Sequence, residues 1–257
     1  MKTKVFAAMV LALGLAGGGV RADPVGDAFA AAHMTVVPCR AHNDAQEKAD
    51  HDLALKALQL LEADDVAGAE AMMPDLRAAQ GRSPDVAPSP ELCGTTLNVF
   101  SDSVADLVMA SAVVAKDTSL AGVGVALKGE MPYGTISFVI GWLEYEHKDF
   151  EAALADYSRG RLNAPDDVTL ASEYASTLSA LGRAQEAYDA ASQFLAGHPA
   201  LDDKDRAVML RREGYSLIDL NRLDDAQAAY EASLKLDPDN SVALGDLDYI
   251  KQQRASH

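Results

Sequence analysis

Five side chains near the start of the chain are of types that could hold a metal or carry acid–base chemistry. His33, Cys39, His42 and His51 fall close together, and Cys93 follows at a distance. Imidazole and thiolate suit zinc and copper. The spacing argues against such a site, because His42 and His51 are nine residues apart and a helix would turn them to opposite faces. The two cysteines are an even number. In an oxidising compartment they are expected to pair as Cys39–Cys93, closing a loop of about 55 residues. By chain entropy such a bridge stabilises by about 4 kcal/mol. A bridged Cys39 cannot ligate, so no metal site is expected and the histidines read as solvated loop residues. The alternative for the cysteines is two buried thiols.

Paired carboxylates could also work as acid and base. The candidates are Asp64–Asp65, Asp166–Asp167, Asp202–Asp203 and Asp224–Asp225. Each stands in a turn or at a helix start, where Asp accepts backbone N–H bonds and favours the positive end of the helix dipole. Capping is the reading they support. The chain has no glycine-rich phosphate loop, no H-E-x-x-H, no C-x-x-C, no G-x-S-x-G and no haem-attachment motif. No catalytic residue and no cofactor is expected, and the chain reads as a non-enzyme.

The elements that must position these residues begin after a leader. Lys2 and Lys4 precede an apolar run from Val5 to Ala16, and Val20 and Ala22 are small residues placed as at a signal-peptidase site. As a helix the run would reach about 18 Å, short of a bilayer core of about 30 Å. Residues 1–22 are therefore expected to be a cleaved signal peptide. Export to the periplasm and no membrane insertion of the mature chain follow as expectations. Cleavage removes three basic residues and no acid, so the formal charge of −17 becomes −20. Such a surface excludes nucleic acid as partner, since phosphates need basic patches.

The chain then repeats itself. "KDFEAALADYSRGRLNAPDD" (148–167) aligns with "NRLDDAQAAYEASLKLDPDN" (221–240): Ala153 with Ala226, Tyr157 with Tyr230, Pro165 with Pro238, and earlier Gly141 with Gly214. A middle copy, "GRAQEAYDAASQFLAGHP", places Ala187 and Pro199 34 residues after Ala153 and Pro165. Each unit reads as two helices. A small residue in the first (Gly141, Ala175, Gly214) admits the second, an aromatic packs nearby (Tyr157, Phe194, Tyr230), and a proline ends the unit. Period, small residues and terminal proline together resemble the tetratricopeptide repeat family. The resemblance implies an all-α helix-turn-helix superhelix, with three clear repeats over 134–240.

Upstream the resemblance fades. Residues 50–84 read as helix, short turn, helix, with Pro74 kinking the second helix or delaying its start. Residues 101–132 read as another degenerate hairpin, and the proline-rich stretch 81–94 as a loop. Residues 23–133 thus form a degenerate N-terminal helical segment, irregular up to about Ala45. Residues 241–257 suit a capping helix, with Val242, Leu244, Leu247, Tyr249 and Ile250 to one side.

Repeats of this family hold partner peptides or helices on the concave side lined by the first helices. The resemblance puts Phe138, Trp142 and Tyr145 on that side, with Arg211, Arg212 and Tyr215 two units later. The family's carboxylate-clamp subtype needs Lys and Asn where Phe138 and Trp142 stand, so that subtype is rejected. The expected occupant is an apolar segment bearing a carboxylate for the arginines. The alternative for Phe138 and Trp142 is packing against residues 101–127 or under the N-terminal segment. The leading function is an exported protein-interaction module or assembly scaffold. Its rival is an enzyme or metal-handling protein active in residues 23–130, with the repeats as a docking arm. A polar cavity in 23–130 would give that rival a location.

Overall fold

The computed structural model describes residues 35–101, 104–116 and 118–255. The expected leader and His33 lie outside them. The described chain is mostly helical and built as a stack of hairpins. In order, the elements are β1 (Val37–Pro38), α1 (Asp44–Glu62), α2 (Val66–Ala71), α3 (Met73–Gln80), β2 (Glu91–Cys93), β3 (Thr96–Phe100), α4 (Val104–Lys116) and β4 (Gly124–Lys128). Then follow α5 (Tyr133–Glu146), α6 (Phe150–Asn163), α7 (Val168–Ala180), α8 (Ala184–Gly197), α9 (Asp203–Asp219), α10 (Leu223–Leu236) and α11 (Ser241–Ala255).

Four hairpins share one turn: α1/α2, α5/α6, α7/α8 and α9/α10. Each has one left-handed residue, at Asp64, Lys148, Gly182 or Asn221, with φ between 57° and 72°. The next N–H in each reaches back to a carbonyl of the first helix: Asp65 to Leu60, Asp149 to Glu144, Arg183 to Leu178, Arg222 to Leu217, at 2.8–2.9 Å. Such a closure satisfies carbonyls that a helix end would otherwise leave bare. The carboxylates of Asp65, Asp149, Asp167 and Asp202 then cap the helices that follow. Asp224 and Asp225 lie within the first turn of α10 instead, bonded to Arg254 and Arg222.

Small residues set the crossings inside the hairpins. A Cβ at Gly141 would stand 2.8 Å from the Tyr157 ring, and one at Gly214 would stand 2.7 Å from Tyr230. In the middle unit Ala175 replaces glycine, and the register of the two tyrosines falls on Ala191. Phe194, expected as that unit's aromatic partner, is buried with Ala171, Ala191 and Met209. A larger residue on one helix is matched by a smaller one on the other, as close packing requires.

The upstream hairpin stacks directly on the first clear repeat. α1 and α3 both pack against α5, burying Ala54, Ala57, Leu76 and Ala79 with Ile136, Ile140 and Leu143. Its second helix is broken at Met72, and Pro74 lies in the first turn of α3, where its missing N–H costs nothing.

Between these stacked hairpins the chain loops out. The expected second degenerate hairpin, residues 101–132, is absent: α4 is followed by a single 3-10 turn and then by strand β4. Gly122 at φ 91° stops helical continuation, and Val123, Val125 and Leu127 alternate toward one face. β1 to β4 form one sheet in that order, β1 parallel to β2, β2 antiparallel to β3, and β3 parallel to β4 with α4 as the crossover. Leu97, Val99, Ala110 and Leu120 form its separate core. The irregular stretches expected before Ala45 and over 81–94 thus contain β1 and β2.

At the far end, α11 caps the stack with Ala243 and Ile250, beside Leu247. Val242, Leu244 and Tyr249, expected on the covered side, are exposed at 61%, 47% and 45%. No helix among the described residues is long and apolar enough to cross a membrane.

Candidate functional site

Two concave sites stand out. The first, a cavity of about 500 Å³, lies where α7, α9 and α11 line the concave side of the stack. α7 contributes Ser172 and Glu173, α9 contributes Val208, Arg211, Arg212 and Tyr215, and α11 contributes Val242 and Asp246. α7 and α9 are the first helices of successive units, and α11 is the cap that follows the last.

The six residues expected to bind a partner divide between two places. Arg211, Arg212 and Tyr215 line the cavity, and Tyr215 is 48% exposed. Phe138 and Trp142 are half-buried against the cluster joining α1, α3 and α5. They pack on the upstream hairpin, and the alternative packing partner, 101–127, is not what they meet in that cluster. Tyr145 sits 5.0 Å from the Phe150 ring.

The arginines are already engaged. Arg211 donates to Asp237 at 3.1 Å and to Ser233 at 3.3 Å. Arg212 donates to Ser172 at 2.8 Å and more distantly to Glu173 at 3.5 Å. Burial raises the Glu173 carboxyl above the usual glutamate range, and the charge of Arg212 offsets this only in part. Glu173 and Asp246 were not singled out by sequence, and Tyr230 was expected only as the packing aromatic of its unit. For the two carboxylates the signal would have been a polar residue on the inner helix face, legible only once the repeat register is known.

The second site, also about 500 Å³, lies between the sheet and the start of α1. Arg40, His42, Lys48, His51, Asn98, Lys128 and the Cys39–Cys93 pair line it. The disulfide is formed, with Cα atoms 4.7 Å apart. It continues the parallel ladder of β1 and β2, in which Pro38 faces Leu92. Cys39 and Cys93 are therefore not available as thiolate ligands.

His42 joins two elements. Its Nδ1 lies 2.8 Å from Glu47 on α1, and its Nε2 lies 2.8 Å from Glu91 on β2. An imidazole between two carboxylates donates from both nitrogens only when protonated. Burial depresses its pKa, but the bonds and charges of Glu91 and Glu47 outweigh this and leave it raised. Glu91 is fully buried; burial alone would raise its pKa, yet the Arg40 backbone N–H, His42 and the Arg40 side chain together lower it.

Comparison with known proteins bears on the stack. The tetratricopeptide repeat family matches residues 207–240. No curated protein matches the chain. Among solved structures, Pseudomonas aeruginosa PilF is similar at 14% identity and a TM-score of 0.53, covering 82% of this chain and 72% of that one. A tetratricopeptide repeat protein of Parabacteroides merdae is similar at 14% identity and a TM-score of 0.50, covering 81% and 61%. The first such module of RPAP3, solved with an HSP90 peptide, gives 22% identity and a TM-score of 0.42 over 48% of this chain and 93% of that one. The family match at 207–240 and the likeness of fold identify the helical stack as a solenoid of tetratricopeptide repeat type.

Proposed function

We propose that this chain is an exported, periplasmic protein-interaction module, which holds a partner segment in the concave groove of α7, α9 and α11. The observation that carries the reading is the open cavity of about 500 Å³ on the first-helix side, with Tyr215 half exposed. A half-exposed aromatic over a preformed concavity is the kind of anchor on which interfaces depend. Export is supported by the leader pattern of residues 1–22, and a structural disulfide suits an oxidising compartment. The test uses residues 23–257 as bait in an envelope extract, beside Val208→Asp and Tyr215→Ala variants. A partner captured by the parent chain and lost with both variants supports the groove. Capture unchanged by either variant places the interaction elsewhere.

The polar cavity beside the sheet keeps the second reading, an enzyme or metal-handling region within 23–130. It gathers Arg40, His42, Lys48, His51 and Lys128 around one concavity. Zinc or copper retained at one equivalent after dialysis, and lost in a His42→Ala, His51→Ala variant, would favour that reading.

A further inference from the structure

The Cys39–Cys93 bridge staples the end of β1 to β2, yet the protein does not enclose it. Cys39 is exposed and Cys93 half-buried, and both line the open cavity of about 500 Å³ between the sheet and α1. A bridge sealed in a core is protected from reduction, whereas one that a thiolate can reach exchanges. Phe100, Met131 and Pro132 give the same cavity an apolar wall, against which the carbon chain of an incoming thiol can lie.

The surroundings favour a leaving thiolate. A carboxylate oxygen of Glu91 lies within 4.8 Å of both sulfurs. Its charge alone would repel a thiolate, but Arg40 donates to it from the backbone N–H and from Nε, and His42 bonds to it at 2.8 Å. The Arg40 guanidinium is thereby tethered near the bridge, and its Nη2 is buried without a hydrogen-bond partner. A buried donor left unpaired is costly, and a sulfur taking up negative charge would satisfy it. Lys48 and Lys128 add positive charge to the cavity wall, and Asp44, Glu47 and Glu130 add negative charge. The spare guanidinium donor, not the net charge of the wall, is what serves the sulfurs.

We propose that Cys39–Cys93 is a redox-active bridge, which exchanges with an external dithiol entering this cavity. A thiolate of the dithiol attacks Cys39 Sγ, the more exposed cysteine. As the mixed disulfide forms, the bridge breaks and its electron pair leaves on Cys93 Sγ, near the Arg40 guanidinium. The second thiol of the dithiol loses its proton and attacks the sulfur that its own molecule shares with Cys39, and Cys39 leaves. The dithiol ends as a disulfide, and its two electrons and two protons account for the two thiols left on the chain. This site is separate from the groove of α7, α9 and α11 and does not depend on it.

The test compares the bridge with itself. The full chain with its bridge formed is mixed with dithiothreitol at about pH 7, once folded and once in concentrated urea. Samples are quenched in acid, alkylated and weighed by mass spectrometry. The folded bridge is expected to be reduced about tenfold faster than the unfolded one, with the helical circular dichroism of the folded chain retained. A folded bridge reduced no faster than the unfolded one is a staple alone and overturns the proposal. Arg40→Gln should remove most of the advantage, and exchange as fast as the parent's would overturn the part given to Nη2. The comparison on the parent chain decides the proposal even where that variant fails to fold. With glutathione, a monothiol, as the probe, the trapped adduct should sit on Cys39 and the alkyl group on Cys93. The reverse pattern would overturn the assigned direction of attack.

Discussion

His42 is held between a carboxylate on a helix and a buried carboxylate on a strand, so its protonation helps hold the sheet to α1. Its raised pKa means that its contribution is complete below the unfolded value near 6.5 and fades as pH rises through the folded one. Glu91, with a lowered pKa, contributes above the usual glutamate value and fades as pH falls through its own. The clamp should therefore be strongest at mildly acidic pH. Melting temperatures of the parent and His42→Ala chains should differ most below the unfolded histidine value of about 6.5 and draw together as pH rises through the folded one. A gap that widens with rising pH would contradict the imidazolium. At Gly214 the constraint is steric, since a methyl group there would stand 2.7 Å from the Tyr230 ring. Gly214→Ala should destabilise by about 1–3 kcal/mol, as overpacking does. The same change at exposed Gly245, where a methyl group meets nothing within 4 Å, should be neutral or slightly stabilising. Denaturant unfolding of both variants separates the two cases.

Among the elements, the joint between α1–α3 and α5 ties the upstream hairpin to the repeats. Trp142 and Phe138 fill it apolarly, and Arg77 reaches from α3 to Asp156 on α6 and to Glu144 at 2.7 Å on α5. Trp142→Ala should cost about 3 kcal/mol, because the side chain is a packed aromatic and its loss leaves a cavity. Intrinsic fluorescence is lost with it, so far-UV circular dichroism during denaturation is the suitable measurement. Stability unchanged from the parent would return Trp142 to the groove surface. The sheet depends on a different link. Cys39→Ser with Cys93→Ser should lower stability by about 2–4 kcal/mol and release β1 first. Hydrogen exchange should then quicken at Val37, whose N–H bonds to Pro90, and leave α9 and α10 unchanged.

For the whole molecule, the hairpins form a line in which each unit touches its neighbours, and the sheet unit loops out from the chain between the first hairpin and the second. Stability in such stacks is close to a sum over units and interfaces. Deleting residues 241–257 removes Ala243 and Ile250 from the core around Tyr230. The truncated chain should lose stability and aggregate on heating, as measured by light scattering. A melting temperature equal to the parent's would show that α11 is no cap. Export is decided on the intact protein, where mass spectrometry of the native material should find Asp23 as its first residue. A chain still beginning at Met1 would remove the basis for a periplasmic module.

Much of the stack was legible in the residues because its signals are local. Gly141 with Tyr157, Gly214 with Tyr230, the turn at Asn221 and the prolines recur at helical spacing, and such spacing depends on contacts within one unit. The capping role of Asp65, Asp167 and Asp202 was legible for the same reason. The sheet was not. Thr96–Phe100 and Gly124–Lys128 become strands by pairing with each other, in register from Thr96 with Gly124 to Phe100 with Lys128. α4 is apolar on most sides, so its pattern did not say which face would be covered. The lining of the candidate groove was legible in part. Arg211, Arg212 and Tyr215 were expected from the repeat register and line the cavity, but the arginines' bonds to Asp237, Ser233, Ser172 and Glu173 run between helices or to the loop beyond. The sequence by itself therefore determined the repeating hairpin, a property of neighbours along the chain. Tertiary structure alone decided the inserted sheet, the packing of half-buried Phe138 and Trp142 against α1 and α3, and the engagement of the groove's arginines, because each depends on groups brought together from distant parts of the chain.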